Sequence, residues 1–195
     1  MANKIKYGLK NVYYAIATIA SDNSATYATP VAIPGAVNLS MEPQGENTPF
    51  YADNIAYYTF IANSGYQGDL EIALIPESFK RNVLGYKLGA NGVLVEDANA
   101  PSVNFALLFE FQGDEKATRH VLYNCVAARP AVSGATKEDS ITPQTETLNL
   151  TATAIYVSAL STEVVKGETV ASTGDTVYNA WYTAVTLPTG PAVTT

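Results

Sequence analysis

Val103-Asn-Phe-Ala-Leu-Leu-Phe-Glu-Phe-Gln112, then Gly113-Asp-Glu-Lys116, then Arg119-His-Val-Leu-Tyr-Asn-Cys-Val-Ala-Ala128 read as the two arms and the turn of a long β-hairpin. In the first arm Val103, Phe105, Leu107, Phe109 and Phe111 fall on one face, while Asn104, Glu110 and Gln112 share the other with Ala106 and Leu108. The second arm alternates Val121, Tyr123, Cys125 and Ala127 against His120, Leu122, Asn124 and Val126. Strands apolar on both sides need cover on both sides, from their own chain or from another subunit.

At 195 residues the chain fits a single domain, spanning 1–195, large enough to bury a real core. Thirteen Tyr and six Phe, with many Thr and Val, favour strands over helices. The net charge is -7, unevenly spread. Asn11 to Phe79 holds Asp22, Glu42, Glu46, Asp53, Asp69, Glu71 and Glu77 and no Lys or Arg. Such a body is a poor nucleic-acid binder, because phosphate contacts need cations. The one cysteine, Cys125, excludes an intrachain disulfide and a cysteine-based zinc cluster. Lys4, Lys6 and Lys10 ahead of Val12–Ala20 imitate a secretion signal, but the run alternates and carries two tyrosines. We expect an uncleaved strand there, and no run approaches the ~20 apolar residues of a membrane span.

Taken in order, residues 1–11 read as an N-terminal arm and Val12–Ile19 as a strand. Tyr27–Ile33 and Ala36–Met41, separated by Pro34-Gly35, predict a second hairpin. Glu42–Asn54 has scattered Pro43, Gly45, Pro49 and Asn54 and no period, which predicts a long loop. Long loops in compact domains are commonly functional, and this one ends in the aromatic run Phe50-Tyr51-Ala52-Asp53-Asn54. Two readings stay open, a loop packed on its own domain or one that docks a partner. Ile55–Ala62 and Asp69–Ile75 predict a third hairpin, with Leu70, Ile72 and Leu74 inward. Pro76–Gly85 predicts a short helix, with Pro76 and Glu77 in its first turn, Phe79 and Val83 on one face and Gly85 at its end. Asn91-Gly92 predicts a tight turn. Thr145–Tyr156 predicts a strand whose outer face is a ladder of Thr145, Thr147, Asn149, Thr151 and Thr153. Thr176–Val185 reads equally as strand or short helix, within a C-terminal extension over 158–195.

Catalytic chemistry is poorly supplied. His120, the one histidine, lies in a strand with no nucleophile-elbow motif in the chain. Cys125 reads as a small core hydrophobe. Glu96-Asp97, Asp114-Glu115 and Glu138-Asp139 are adjacent pairs, which on a strand point to opposite faces and on a turn face water. No phosphate loop, dinucleotide fingerprint or calcium-loop spacing occurs. No catalytic residue, metal or cofactor is expected.

Several stretches together resemble the major tail proteins of long-tailed bacteriophages, the subunits of the tail tube. These are Phe50-Tyr51-Ala52-Asp53-Asn54, Gly68-Asp69-Leu70-Glu71-Ile72, Pro76-Glu77-Ser78-Phe79 with Val83-Leu84-Gly85, Asn91-Gly92-Val93, Ala106-Leu107-Leu108-Phe109, and Thr145-Glu146-Thr147-Leu148 leading into Thr151-Ala152-Thr153-Ala154. The resemblance covers most of residues 40–160. It implies a mainly β fold, a sandwich or partial barrel with one short flanking helix. It also implies hexameric rings that stack, with other phage tail proteins, into a tube whose lumen passes DNA without specific binding. It implies a virion tail protein assembled in the host cytoplasm, with no enzyme activity and no membrane partner. Under it, Glu42, Glu46, Phe50, Tyr51, Asp53 and Asn54 are the candidate contacts between rings, with the N-terminal arm and C-terminal tail as alternatives. A lumen lined with carboxylates and threonines would repel phosphate. The rival class is a carbohydrate- or surface-binding β-sandwich module, whose tyrosines would line an open cleft.

Overall fold

The expected central pair forms. In the computed structural model, which describes residues 3–45, 47–136 and 143–190, Phe105–Gly113 and Thr118–Ala127 run antiparallel, with Leu108 opposite Val121 and Glu110 opposite Arg119. In chain order the elements are β1 (Lys6–Ile19), β2 (Ala25–Tyr27), β3 (Val31–Ala32), β4 (Ala36–Gln44), β5 (Asn47–Ala52), β6 (Ile55–Ile61), β7 (Gly65–Ile72), α1 (Glu77–Asn82), β8 (Lys87–Leu88), β9 (Leu94–Val95), β10 (Phe105–Gly113), β11 (Thr118–Ala127), β12 (Glu146–Thr153), β13 (Ile155–Val157), β14 (Thr162–Val164), β15 (Lys166–Glu168) and α2 (Asp175–Ala180).

The main sheet has the order β2-β1-β10-β11-β12-β7-β4, with β3 also on β1 and β15 also on β11. It curls until β4 lies against β1 without pairing to it, so the fold is sandwich-like and the barrel stays open. Inside the curl sits one core of Tyr14, Leu70, Ile72, Phe105, Leu107, Leu148 and Leu150 with Phe79 and Val83 from α1 and its C-cap. Phe79 meets Tyr14 and Phe105 edge-on, at ring distances of 5.0 and 5.5 Å. The expected short helix forms at the surface and turns Phe79 into this core while Glu77, Arg81 and Asn82 stay exposed, and Gly85 follows it at φ +75°.

A second core lies on the opposite face of the same strands, where Ala15, Ala106, Leu108, Val121 and Tyr123 pack under Ile155, Val157 and Trp181. β13 and the C-terminal extension together supply that cover. Tyr182 stacks on Tyr13 at 4.8 Å, Tyr123 Oη donates to the Thr186 carbonyl at 3.1 Å, and α2 resolves the ambiguity over 176–185 in favour of a helix. Among the described residues the single expected flanking helix is therefore one of two.

Several sequence expectations need correction. Between Phe105/Cys125 and Leu107/Leu122 the register slips by one residue, a β-bulge in β11. A bulge breaks the two-residue period, so Cys125 and Ala127 join Leu122 in the inner core, not Val121 and Tyr123 in the outer one. The second and third expected hairpins do not form. β2 and β3 pair with β1, and β4 pairs with β7. Leu74 is exposed because β7 ends at Ile72, and Ile75 is buried in its place. The N-terminal arm is largely strand, with Lys6 opposite Gly113 and Leu9 opposite Phe111. The side chain of Asn3 accepts from the N–H groups of Glu115 and Lys116 at 3.1 and 3.0 Å, tying the chain to the β10–β11 turn.

Candidate functional site

The described residues of 42–54 are strand and tight turn, not a long loop. β4 runs on to Gln44 and β5 begins at Asn47, and β5 pairs antiparallel with β6 as a hairpin of its own. Its turn is Asp53-Asn54, both in the left-handed region at φ +51° and +62°. That is the two-residue geometry that matches strand twist, and Asp and Asn tolerate it better than other residues with a Cβ. Pro43 and Pro49, which suggested a loop, lie opposite Tyr66 and Thr59 on strands paired along one side only, where a missing N–H breaks no ladder.

At the hairpin's base Ser64 N–H donates to the Gln44 carbonyl at 2.7 Å. Gly65 follows at φ +113°, where an added Cβ would stand 2.0 Å from the Ala152 carbonyl oxygen. Only glycine fits at that exit. Beyond it Phe50, Tyr51, Ile55, Tyr57 and Tyr58 are 58–71% exposed. None belongs to either core, and Asp53 is the only charged residue from 47 to 68. Isolated exposed apolar side chains are ordinary, but a contiguous aromatic set marks an interaction surface.

A second surface is the outer face of β4, β7 and β12. Cross-strand register places Asn38, Glu71 and Thr147 in one row, Ser40, Asp69 and Asn149 in the next, and Glu42, Gln67 and Thr151 in the third. Each row carries one carboxylate and no cation. The threonine ladder of β12 is exposed as expected, alternating with buried Leu148, Leu150 and Ala152. Thr145 Oγ1 donates to Glu71 at 2.6 Å and the Asn149 amide donates to Asp69, so hydroxyls and amides, not counter-ions, satisfy these acids.

The structure therefore divides the candidate residues. Phe50, Tyr51, Asp53 and Asn54 gather at the hairpin's end, Glu42 stands on the polar sheet face, and Glu46 lies outside the described residues, as do Glu138 and Asp139. Sequence reasoning missed Ile55, Tyr57 and Tyr58 as partners of this tip, although Asp-Asn between two aromatic alternating runs is a hairpin signal. Asp69 and Glu71 were missed because the β4–β7–β12 order that aligns them is non-local.

The side chains with catalytic potential sit in structural roles. The His120 ring stacks on Phe109 at 5.2 Å, and its Nδ1 is 3.3 Å from Glu168. Burial lowers its pKa, against the opposing pull of Glu168. Burial raises the Cys125 thiol to about 12. Glu110, 6% exposed, accepts from Arg119 Nε at 3.1 Å, Asn11 Nδ2 at 2.7 Å and Tyr182 Oη at 3.1 Å. Arg119 also donates to the Tyr178 carbonyl and lies 3.8 Å from that ring's centre. This network clamps α2 to the sheet. Among the described residues no group of three His, Cys, Asp or Glu is placed to hold a metal ion, and no helix is long and apolar enough to cross a membrane.

A family model described as phage tail tube protein matches residues 2–189 of the chain. No curated protein matches it.

Proposed function

We propose, from the premise that this chain belongs to the phage tail tube protein family, that its aromatic hairpin is the joint by which subunits are assembled around a DNA channel. Membership makes it a structural subunit of the virion tail, working within a multi-subunit tube alongside other tail proteins. The finer reading is ours. Subunits form hexameric rings, the rings stack through β5–β6, and assembly takes place in the host cytoplasm without catalysis. The single observation that carries it is the exposure of Phe50, Tyr51, Ile55, Tyr57 and Tyr58 on a hairpin that its own cores leave bare. Aromatics are favoured at the buried centres of protein interfaces. A projecting element that docks on a different surface makes a heterologous contact, which closes into rings or propagates.

The β4–β7–β12 face is our choice for the lumen wall. Glu42, Asp69 and Glu71 among Thr147, Asn149 and Thr151 give a negative, hydroxyl-rich surface without lysine or arginine. Such a surface repels duplex phosphate and leaves DNA free to slide. The carbohydrate-binding alternative is less well served, since five surface clefts take their tyrosines from Tyr13, Tyr27, Tyr66 and Tyr178 and not from the exposed Tyr51, Tyr57 and Tyr58. Negative-stain electron microscopy of the purified protein across a concentration series, with light scattering on the same samples, tests the assembly. Rings or tubes with a central hole are expected. A monomer at every concentration, even after addition of preformed tube ends, would refute it.

A further inference from the structure

The hairpin's tip needs a receptor, and one groove has matching chemistry. Among the described residues every arginine, with Lys80, Lys87 and Lys116, stands within ion-pair distance of a carboxylate, whereas Lys4, Lys6, Lys10 and Lys166 do not. Two of these four line the same cavity of about 300 Å³, whose walls include Met41, Tyr66, Phe111 and His120. Lys6 Nζ lies 5.0 Å from the centre of the Phe111 ring and Lys166 Nζ 5.7 Å from that of Tyr66. The carboxylate of Glu168, two residues from Lys166, is held at His120 Nδ1 and borders a different cavity. In a chain of net charge -7, a half-buried aromatic groove rimmed by two unneutralised ammonium groups is an unusual feature. It suits an apolar segment carrying one negative charge.

We infer that this groove receives the β5–β6 tip of a second copy of the chain, with Phe50 and Tyr51 against Tyr66, Phe111 and Met41 and the Asp53 carboxylate between Lys6 and Lys166. The inference rests on the tube reading above and names the surface that its joint would occupy. The tip is aromatic with one charge, a carboxylate, so shape class and charge both complement the groove. A subunit's own tip is not the occupant. The six residues of β5 span about 20 Å, β5 and β6 pair with no other strand, and no residue of the hairpin lines the groove of its own chain.

Full-length chains carrying Asp53→Cys and Lys166→Cys together, treated with a short bismaleimide after assembly, provide the test. Cys125 is fully buried and stays silent. A ladder of covalent multimers is expected from this pair and not from Asp53→Cys with Thr147→Cys, whose second site is on the polar sheet face. Tubes that form without the ladder, or with equal ladders from both pairs, overturn the groove and leave the tube reading standing. Failure of the wild-type chain to form rings or tubes brings down both. Lys6→Glu with Lys166→Glu is expected to raise the concentration needed for assembly about tenfold, the weight of two modest charge contacts. An unchanged threshold contradicts the assignment.

Discussion

The β10–β11 and β5–β6 hairpins are both apolar on two faces, yet one is covered on both and the other carries its aromatics in the open. Phe105, Leu107 and Leu108 are fully buried because α1 lies on one side and β13 with the C-terminal extension on the other. Phe50, Tyr51 and Tyr57 are more than half exposed because nothing in the described chain returns to them. A two-faced strand thus states a demand for cover and not its source. Where the chain supplies the cover, the strand is core, and where it does not, the strand is an interface.

The contrast breaks most readily in the covered hairpin. Phe105→Ala is expected to lose about 3–5 kcal/mol of folding stability, by urea denaturation, whereas Tyr57→Ala in the monomer is expected to change it by no more than about 0.5 kcal/mol. Comparable losses at both sites would erase the distinction. Arg119→Met should lose about 3 kcal/mol, since it leaves the buried Glu110 without its cation. The one tryptophan, Trp181, is buried at the C-cap of α2, so its emission should shift to the red at lower urea in this variant. An unshifted transition would mean that α2 is held by other contacts.

A smaller effect sharpens the other side. Tyr57→Ala, nearly silent in the monomer, should weaken assembly by about 2 kcal/mol, the scale of an interface anchor. Light scattering would read this as a roughly thirtyfold higher threshold, and an unmoved threshold would make the hairpin a bystander. Smallest is a pH effect in the covered hairpin. Burial depresses the folded-state pKa of His120 below its usual 6.5, so the unfolded chain binds the proton more tightly. Its stabilising contribution is full above about pH 6.5 and is lost as pH falls through the lower folded value. His120→Gln should flatten that part of the stability profile.

Much of the covered hairpin was legible because its code is local. The alternation of Phe105 to Phe111, the threonine ladder and the Pro76–Gly85 helix each depend on neighbours within a few residues. The bulge that turns Cys125 inward was not legible, since one extra residue in a strand leaves no mark on composition. Partner choice was not legible either. Ile55–Ile61 pairs backward with residues 47–52 rather than forward with 65–72, and Pro49 hid the partner strand because edge and interior strands look alike in sequence. Of the candidate site, the aromatic tip was found and mistaken for a loop. The polar face was invisible as a face, because Glu42, Asp69 and Thr147 come together only through the strand order.

Amide hydrogen exchange on the same protein before and after assembly tests the central claim most directly. In the monomer, residues 47–61 should exchange far faster than residues 105–127. On assembly, protection should rise over 47–61 and stay unchanged over 105–127. Tubes in which residues 47–61 exchange as fast as in the monomer would show that the hairpin is not the joint.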